Sequence, residues 1–334
     1  MYFDIAMPLT LFMVTTVAVF LNGKVEKKLK GVFEEREFRV RDAVLLVAVI
    51  SVTVSLIVFM PQIAVMTVYL FAYSMLLFIF TYLFSGFQRT KAKLFFTMFL
   101  VISFLIGTIS LFNFGANTGI AYGALVFLCL FGFTFLALLY EEDRIKSGER
   151  WYLAVLPPAL FVFLYLFFGR TPIWFQYLLD LYGIVFAVLI ILYLGSLFTW
   201  KTSLIFVGLL TVMDMILVLF TGSMVSAASH VSGLRLPVLI SLPTVPAIVT
   251  EMGTIYMSLG LGDFFFAGIL AVQTLKKYGR DFAILAIFTM SASFLVFEAF
   301  ILTYEVSAFP GTLMIICGWL PLLFLKYLKN MVAR

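Results

Sequence analysis

From Ala43 through Gln88 the chain carries no charged side chain. A bilayer core of about 30 Å takes roughly 20 residues of helix, so this stretch is too long for one crossing. It has to cross twice, turning tightly at Pro61-Gln62, where proline ends a helix. Similar runs recur along the sequence. Divided at their polar breaks they predict eleven spans, near residues 5–21, 43–60, 63–85, 93–113, 118–139, 152–169, 175–199, 203–221, 252–275, 282–303 and 309–325. Residues 5–21 have the length of a secretory signal. Their basic residues follow the apolar run and no small-residue cleavage site stands behind it, so they read as a retained span.

Hydrophobic residues make up 64 % of the chain and charged residues 12 %, against roughly 45–50 % and about 25 % in soluble domains. Such a chain cannot cover itself in polar surface, and lipid must be its solvent. The fold class expected is all-α, a polytopic transmembrane helix bundle without an internal repeat. Cys129 and Cys317 each lie in an apolar run, which argues against a disulfide framework.

The net charge of +5 is compatible with nucleic acid until its distribution is considered. With the amino terminus placed outside, every one of the 22 Lys and Arg residues except Arg170 and Arg235 falls on the inner side. That asymmetry is the positive-inside pattern. It puts the carboxyl terminus in the cytoplasm and accounts for the net charge without nucleic acid. The block from Lys24 to Asp42 mixes both signs and reads as a solvated inner linker. On the outer side the longest polar interruption is 222–251. There Pro237 and Pro243 flank an apolar segment expected to form a short strand or two in a loop.

Three carboxyl groups lie inside predicted spans: Asp214, Asp263 and, nearer an end, Glu298. Asp180 and Glu251 fall near span ends, within reach of headgroups. An ionised side chain at the bilayer centre costs about 2.5–3.5 kcal/mol or more, so such residues are functional candidates by default. Asp214 and Asp263 form a pair by depth. From Thr202 to Asp214 and from Asp263 to Leu275 are each twelve residues, or ~18 Å of helix. Antiparallel neighbours would hold both carboxyls at one level. Two such groups in a low dielectric titrate as a unit and share one proton. This is the condition for aspartic proteolysis, in which one carboxylate activates water while its protonated partner polarises the scissile carbonyl. Proton or ion transport can use the same pair.

Other proteolytic chemistries lack parts. The single histidine, His230, belongs to the outer loop, no H-E-x-x-H occurs, and no span carries a histidine to serve a buried serine. Neither a metal nor another cofactor is called for.

The stretch "SLGLGDFFFAG" resembles the G-x-G-D motif of the presenilin and signal peptide peptidase superfamily of intramembrane aspartyl proteases. Residues 200–243, "WKTSLIFVGLLTVMDMILVLF…VLISLP", are similar to that family's other aspartate helix and the loop after it. The similar region covers roughly residues 200–325. It implies that Asp214 and Asp263 are the catalytic pair, with Gly260, Leu261 and Gly262 as motif residues. Pro310, Gly311, Thr312 and Leu313 stand where the family carries Pro-Ala-Leu and would dock substrate. Two departures are visible: Met213 replaces the family's tyrosine before the first aspartate, and Gly311-Thr312 replaces Ala-Leu. A literal Pro158-Ala159-Leu160 precedes both aspartates and is read as coincidence.

The resemblance implies a nine-span protease core with two extra amino-terminal spans. Residues 1–92 would hold the first spans and a basic cytoplasmic loop, 93–199 the first part of the core, and 200–334 the catalytic spans. The orientation is similar to that of the signal peptide peptidase branch, whose substrates are transmembrane or signal-peptide helices with their amino termini in the cytoplasm. The compact chain is similar to archaeal members, which places it in a prokaryotic cell membrane. An unwound substrate would pair its strand edge with the segment Leu234 to Ile240. The glycines would permit close approach to Asp263 or serve helix packing. A transporter, or a catalytically silent relative that binds membrane helices, stays open beside this reading.

Overall fold

The structure is a computed structural model that describes residues 2–29, 37–59, 89–112, 128–129, 131–139, 160–161, 164–165, 168–172, 174–233, 235, 237–250, 253–304, 306 and 308–332. The predicted span at 63–85, the Pro61-Gln62 turn, the first half of 118–139, most of 152–169, Pro158-Ala159, Leu234 and Glu251 lie outside the described residues. So do Arg144, Lys146 and Arg150.

Helix dominates the described residues, and six helical segments among them are long and apolar enough to cross a membrane: Ala6–Gly23, Val40–Phe59, Leu179–Leu197, Trp200–Phe220, Arg280–Tyr304 and Gly311–Lys329. The full elements are α1 (Ala6–Leu29), α2 (Val40–Phe59), α3 (Arg89–Phe112), α4 (Leu179–Leu197), α5 (Trp200–Met215), α6 (Ser223–Gly233), α7 (Leu261–Tyr278), α8 (Arg280–Tyr304) and α9 (Gly311–Val332). A π-helical turn, Ile216–Phe220, continues α5. Four short strands lie between α6 and α7: β1 (Leu239–Pro243), β2 (Val249–Thr250), β3 (Gly253–Thr254) and β4 (Tyr256–Gly260).

Contacts divide the chain into two units, Tyr69–Tyr177 and the remainder, Met1–Val68 with Leu178–Arg334. In the first unit, Ala92 and Phe96 of α3 are fully buried against Phe95, Phe99, Ala137 and Leu138. Trp174 packs edge-on to Tyr165. The second unit is built around α7. Every residue from Phe264 to Thr274 is buried, on all sides of the helix. The neighbours that bury it are α1, α4, α5, α8 and α9.

Small residues set the closeness of that packing. A side chain at Gly268 would run into Ile191 of α4, and one at Gly318 of α9 would run into the Thr289 carbonyl of α8. Polar ties add direction. Trp319 donates to the Thr274 hydroxyl at 3.0 Å, joining α9 to α7, and the Gln273 amide donates to the Phe198 carbonyl at 2.7 Å. At the start of α5, Thr199 and Thr202 cap each other reciprocally. At the end of α7, Gly279 takes φ +89, open to glycine without strain, and lets α8 begin at once.

Two expectations need correction. The run 252–275 is not one helix: residues 256–260 form β4, antiparallel to β1 with Ser241 opposite Ser258, and helix begins only at Leu261. A continuous apolar run does not distinguish a buried strand from a helix. The interruption at 222–251 is not only loop and strand either, since it opens with α6, which includes His230.

Gly318→Ala is expected to destabilise the bundle by ~1–3 kcal/mol through overpacking against backbone. Gly208→Ala, where the added methyl meets open space, should be neutral or stabilising by up to about 1 kcal/mol. Unfolding of the two variants in detergent, compared with the parent chain, checks the contrast.

Candidate functional site

The two aspartates arrive from opposite helix ends. Asp214 lies in the last turn of α5, just before the backbone widens into the π-helical turn, in which the Thr221 N–H reaches the Ile216 carbonyl at 3.0 Å. Such widened turns are frequent at functional sites. Asp263 lies in the first turn of α7, three residues after the cap Gly260. Its carboxyl folds back over the helix start, with Oδ2 3.3 Å from where a Cβ at Gly260 would stand. Both side chains are partly buried.

They meet at the start of α9. Thr312 donates to Asp214 Oδ2 twice, from its hydroxyl at 2.6 Å and its backbone N–H at 3.3 Å. Gly311, one residue earlier, lies under Asp263: an added Cβ would stand 2.6 Å from Oδ1 and 2.7 Å from Cγ. The Cα atoms of Gly311 and Thr312 are ~3.8 Å apart, which brings the two carboxyls to one place. The positive ends of the α7 and α9 dipoles both face the pair, which favours negative charge there.

The sequence-predicted residues therefore sort as follows. Asp214, Asp263, Gly260, Gly311 and Thr312 come together. Leu261 is the first residue of α7 and bonds back to the hairpin, its N–H donating to the Val238 carbonyl at 2.9 Å. Gly262 is exposed, with open space where a side chain would be, so close helix packing is not its role. Pro310 is buried and directly precedes α9, so it starts this helix instead of interrupting it. Leu313 is partly buried in the same first turn. The alanine of a Pro-Ala-Leu pattern would not fit beside Asp263 as it is placed here.

Asp180 corrects another expectation. It does not reach toward headgroups but is buried on α4, and its Oδ1 accepts the Ser241 N–H at 2.8 Å. Backbone groups alternate across a strand, so a Ser241 N–H spent on α4 cannot pair with β4. Ser241 and Ser258 instead share a hydroxyl contact at 2.7 Å. The outward backbone groups at this rung are then those of Ser258, which is exposed, on the β4 side leading directly to Asp263. Asp180 thus clamps β1 to α4 at Ser241, one residue beyond the segment Leu234 to Ile240 that the sequence reading offered to a substrate.

Cys129 and Cys317 are both free and exposed. A cavity of about 240 Å³ lined by Ser196, Thr199, Trp200, Gln273, Lys276 and Lys277 sits at the opposite end of α7 from the acid pair. No group of three or more metal-ligating side chains occurs among the described residues. No protein-family model matches the chain, and no curated protein matches it.

Asp180→Ala removes the one acceptor that the Ser241 N–H has among the described residues. We expect a loss of ~1–3 kcal/mol, the penalty for a buried unpaired donor. Amide hydrogen exchange should accelerate at β1 and β4 while α9 keeps its protection.

Proposed function

We propose that this chain is an intramembrane aspartyl protease that cleaves helical membrane segments. The observation that carries the reading is the convergence of Asp214 and Asp263 on consecutive residues of one helix start, Thr312 and Gly311. In this reading the pair shares one proton. Thr312 fixes Asp214 Oδ2 and leaves Oδ1 to draw a proton from the attacking water. Asp263 donates its proton to the oxygen of the scissile carbonyl. The tetrahedral gem-diol then collapses: Asp214 gives the proton it took from water to the leaving amide nitrogen, the C–N bond breaks, and a gem-diol hydroxyl returns its proton to Asp263.

A helical substrate hides its carbonyls and must unwind first. The outward rung at Ser258 offers the opened segment a strand edge that ends at Asp263, and bare Gly262 leaves room beside it. In this reading the substrate aligns along β4. The proposed architecture is a nine-span core with two added amino-terminal spans in a prokaryotic cell membrane. The amino terminus would be outside and the carboxyl terminus cytoplasmic, with transmembrane or signal-peptide helices as substrates.

The structure supplies one relation between the two sequence departures. Met213 brings no hydroxyl to the neighbourhood of Asp214, and Thr312 brings one from α9.

Purified protein with a helical reporter peptide tests the proposal. Asp214→Asn and Asp263→Asn should each abolish cleavage without loss of fold, and a transition-state-mimicking aspartyl protease inhibitor should block the parent chain. Cleavage that survives in either variant rejects the mechanism. Thr312→Val deletes a hydrogen bond to a charged group, worth ~1.5–3 kcal/mol. It should lower kcat roughly ten- to a hundredfold with little change in KM, and Thr312→Ser should restore most of the loss.

A further inference from the structure

The cavity of about 240 Å³ at the end of α7 away from the acid pair takes no part in the proposed chemistry. Its wall carries recognition groups of two kinds. Lys276 and Lys277 bring positive charge from the last turn of α7. The start of α5 adds donors. Thr199 takes the Thr202 N–H on its hydroxyl and the Ser203 N–H on its carbonyl, which leaves the Trp200 and Lys201 N–H groups without an acceptor among the described residues. Glu37 and Gln273 are of the opposite kind. Gln273 lines the cavity while only 2 % exposed. Its amide N–H groups go to the Phe198 and Gly195 carbonyls, at 2.7 and 3.4 Å, and no group among the described residues donates to its Oε1. That oxygen is therefore what the buried side chain presents to the cavity.

These groups are held in place. The Phe38 N–H donates to the Leu197 carbonyl at 2.8 Å, and the Phe38 ring meets Phe198 edge-on at 5.0 Å, which seats the neighbouring Glu37 at the cavity. Lys277 Nζ stands 4.0 Å over the Trp200 ring, and Lys276 donates to the Gly195 carbonyl at 3.5 Å. A bare anion would face the Glu37 carboxylate, and a bare cation would face two lysines and a helix start, so neither satisfies the wall alone. A small ligand that carries both charges does. Its phosphate oxygens accept from the first N–H groups of α5 and from the lysines. Its primary ammonium donates to Gln273 Oε1 and to the Glu37 carboxylate. The volume lies below the ~300–1,000 Å³ of sites for drug-sized molecules, which suits a headgroup.

We propose that this cavity binds the phosphoethanolamine headgroup of a membrane lipid. Its level in the bundle points to a lipid as the source. The cavity lies where the apolar segment Trp200–Phe220 begins. Cations stand over aromatic rings at the same end: Lys277 over Trp200, Arg280 over Phe20 and Lys326 over Phe282. Aromatic and basic residues gather in this way at the depth of headgroups, where Trp and Tyr form belts. A lipid held by its headgroup here keeps its chains in the bilayer. The bound headgroup joins the segment before α2, the corner between α4 and α5, and the last turn of α7. It is independent of what the acid pair does at the other end.

The test is native mass spectrometry of the full chain in detergent with phosphatidylethanolamine, phosphatidylcholine and phosphatidylglycerol of identical acyl chains. Phosphatidylethanolamine should be retained about tenfold more strongly than either of the others. The trimethylammonium of choline has no N–H to give, and glycerol has no positive charge. Glu37→Gln should erase the preference over phosphatidylglycerol. Lys277→Gln should weaken binding about tenfold, and Lys277→Arg should keep it. All three substitutions fall on exposed side chains. A phosphatidylethanolamine with a photoreactive group beside its headgroup should label the peptide that contains Trp200. Equal retention of the three lipids by the parent would mean a cavity filled by water alone and would overturn the proposal. So would a preference that neither Glu37→Gln nor Lys277→Gln moves, or a label that falls elsewhere. Displacement of the lipid by an equal concentration of soluble O-phosphoethanolamine would overturn the lipid as the source. Should a variant fail to fold, the parent's ranking of the lipids and the position of the label decide.

Discussion

A carboxylate inside an apolar protein needs donors, and a helix start has N–H groups without partners. The structure joins these two deficits repeatedly. Asp4 takes N–H groups at the start of α1, Asp263 sits in the first turn of α7, and Asp214 meets the first turn of α9. Asp180 does the same for a strand, taking the Ser241 N–H of β1. Each pairing fixes a position as well as a charge. Helix α9 must begin beside Asp214, and α7 must begin where β4 ends, because the donors exist only at those ends. Glu298 is the exception that makes the rule visible, since it lies in the body of α8, where every N–H is already used.

The same constraint explains why the acid pair is held from several directions. Asp263 is carried by the most enclosed helix of the second unit, and α9 reaches it through glycine so that its backbone can come close. Trp319, about two turns along α9, is bonded to Thr274 near the far end of α7, so these two helices are tied again away from the acid pair. The hairpin is clamped on one side by α4 and left exposed on the other. Rigidity and access are therefore divided between the two strands, with β1 held and β4 open at Ser258.

Much of this is legible in the sequence. Buried charge is expensive, so an aspartate in an apolar run stands out, and Asp214 and Asp263 were found on that ground together with their common depth. The proline ahead of the last helix and the strand flanked by Pro237 and Pro243 were equally plain. What escaped notice had no contrast to reveal it. In "TIYMSLGLG" the side chains suit a buried strand and a membrane helix equally, so the strand–helix junction at Gly260 was hidden. Asp180 looked like an interfacial residue because its partner lies 61 positions away in sequence. Asp4 carries a readable signal, since an acid two residues before a helix is an ordinary capping pattern.

Helix α7 is absent from the six segments apolar enough to cross a membrane unaided, although it lies at the centre of them. It carries Asp263, Lys276 and Lys277, and none of its buried middle touches lipid. Protein, not bilayer, is its solvent, and that frees its composition for small residues, a glutamine and an acid. The consequence falls on biogenesis. A segment of this kind gains little by partitioning into lipid alone, and its place exists only once its neighbours surround it. Since α8 and α9 are synthesised after it, the enclosure of the helix that bears the second aspartate is complete only once they have joined it.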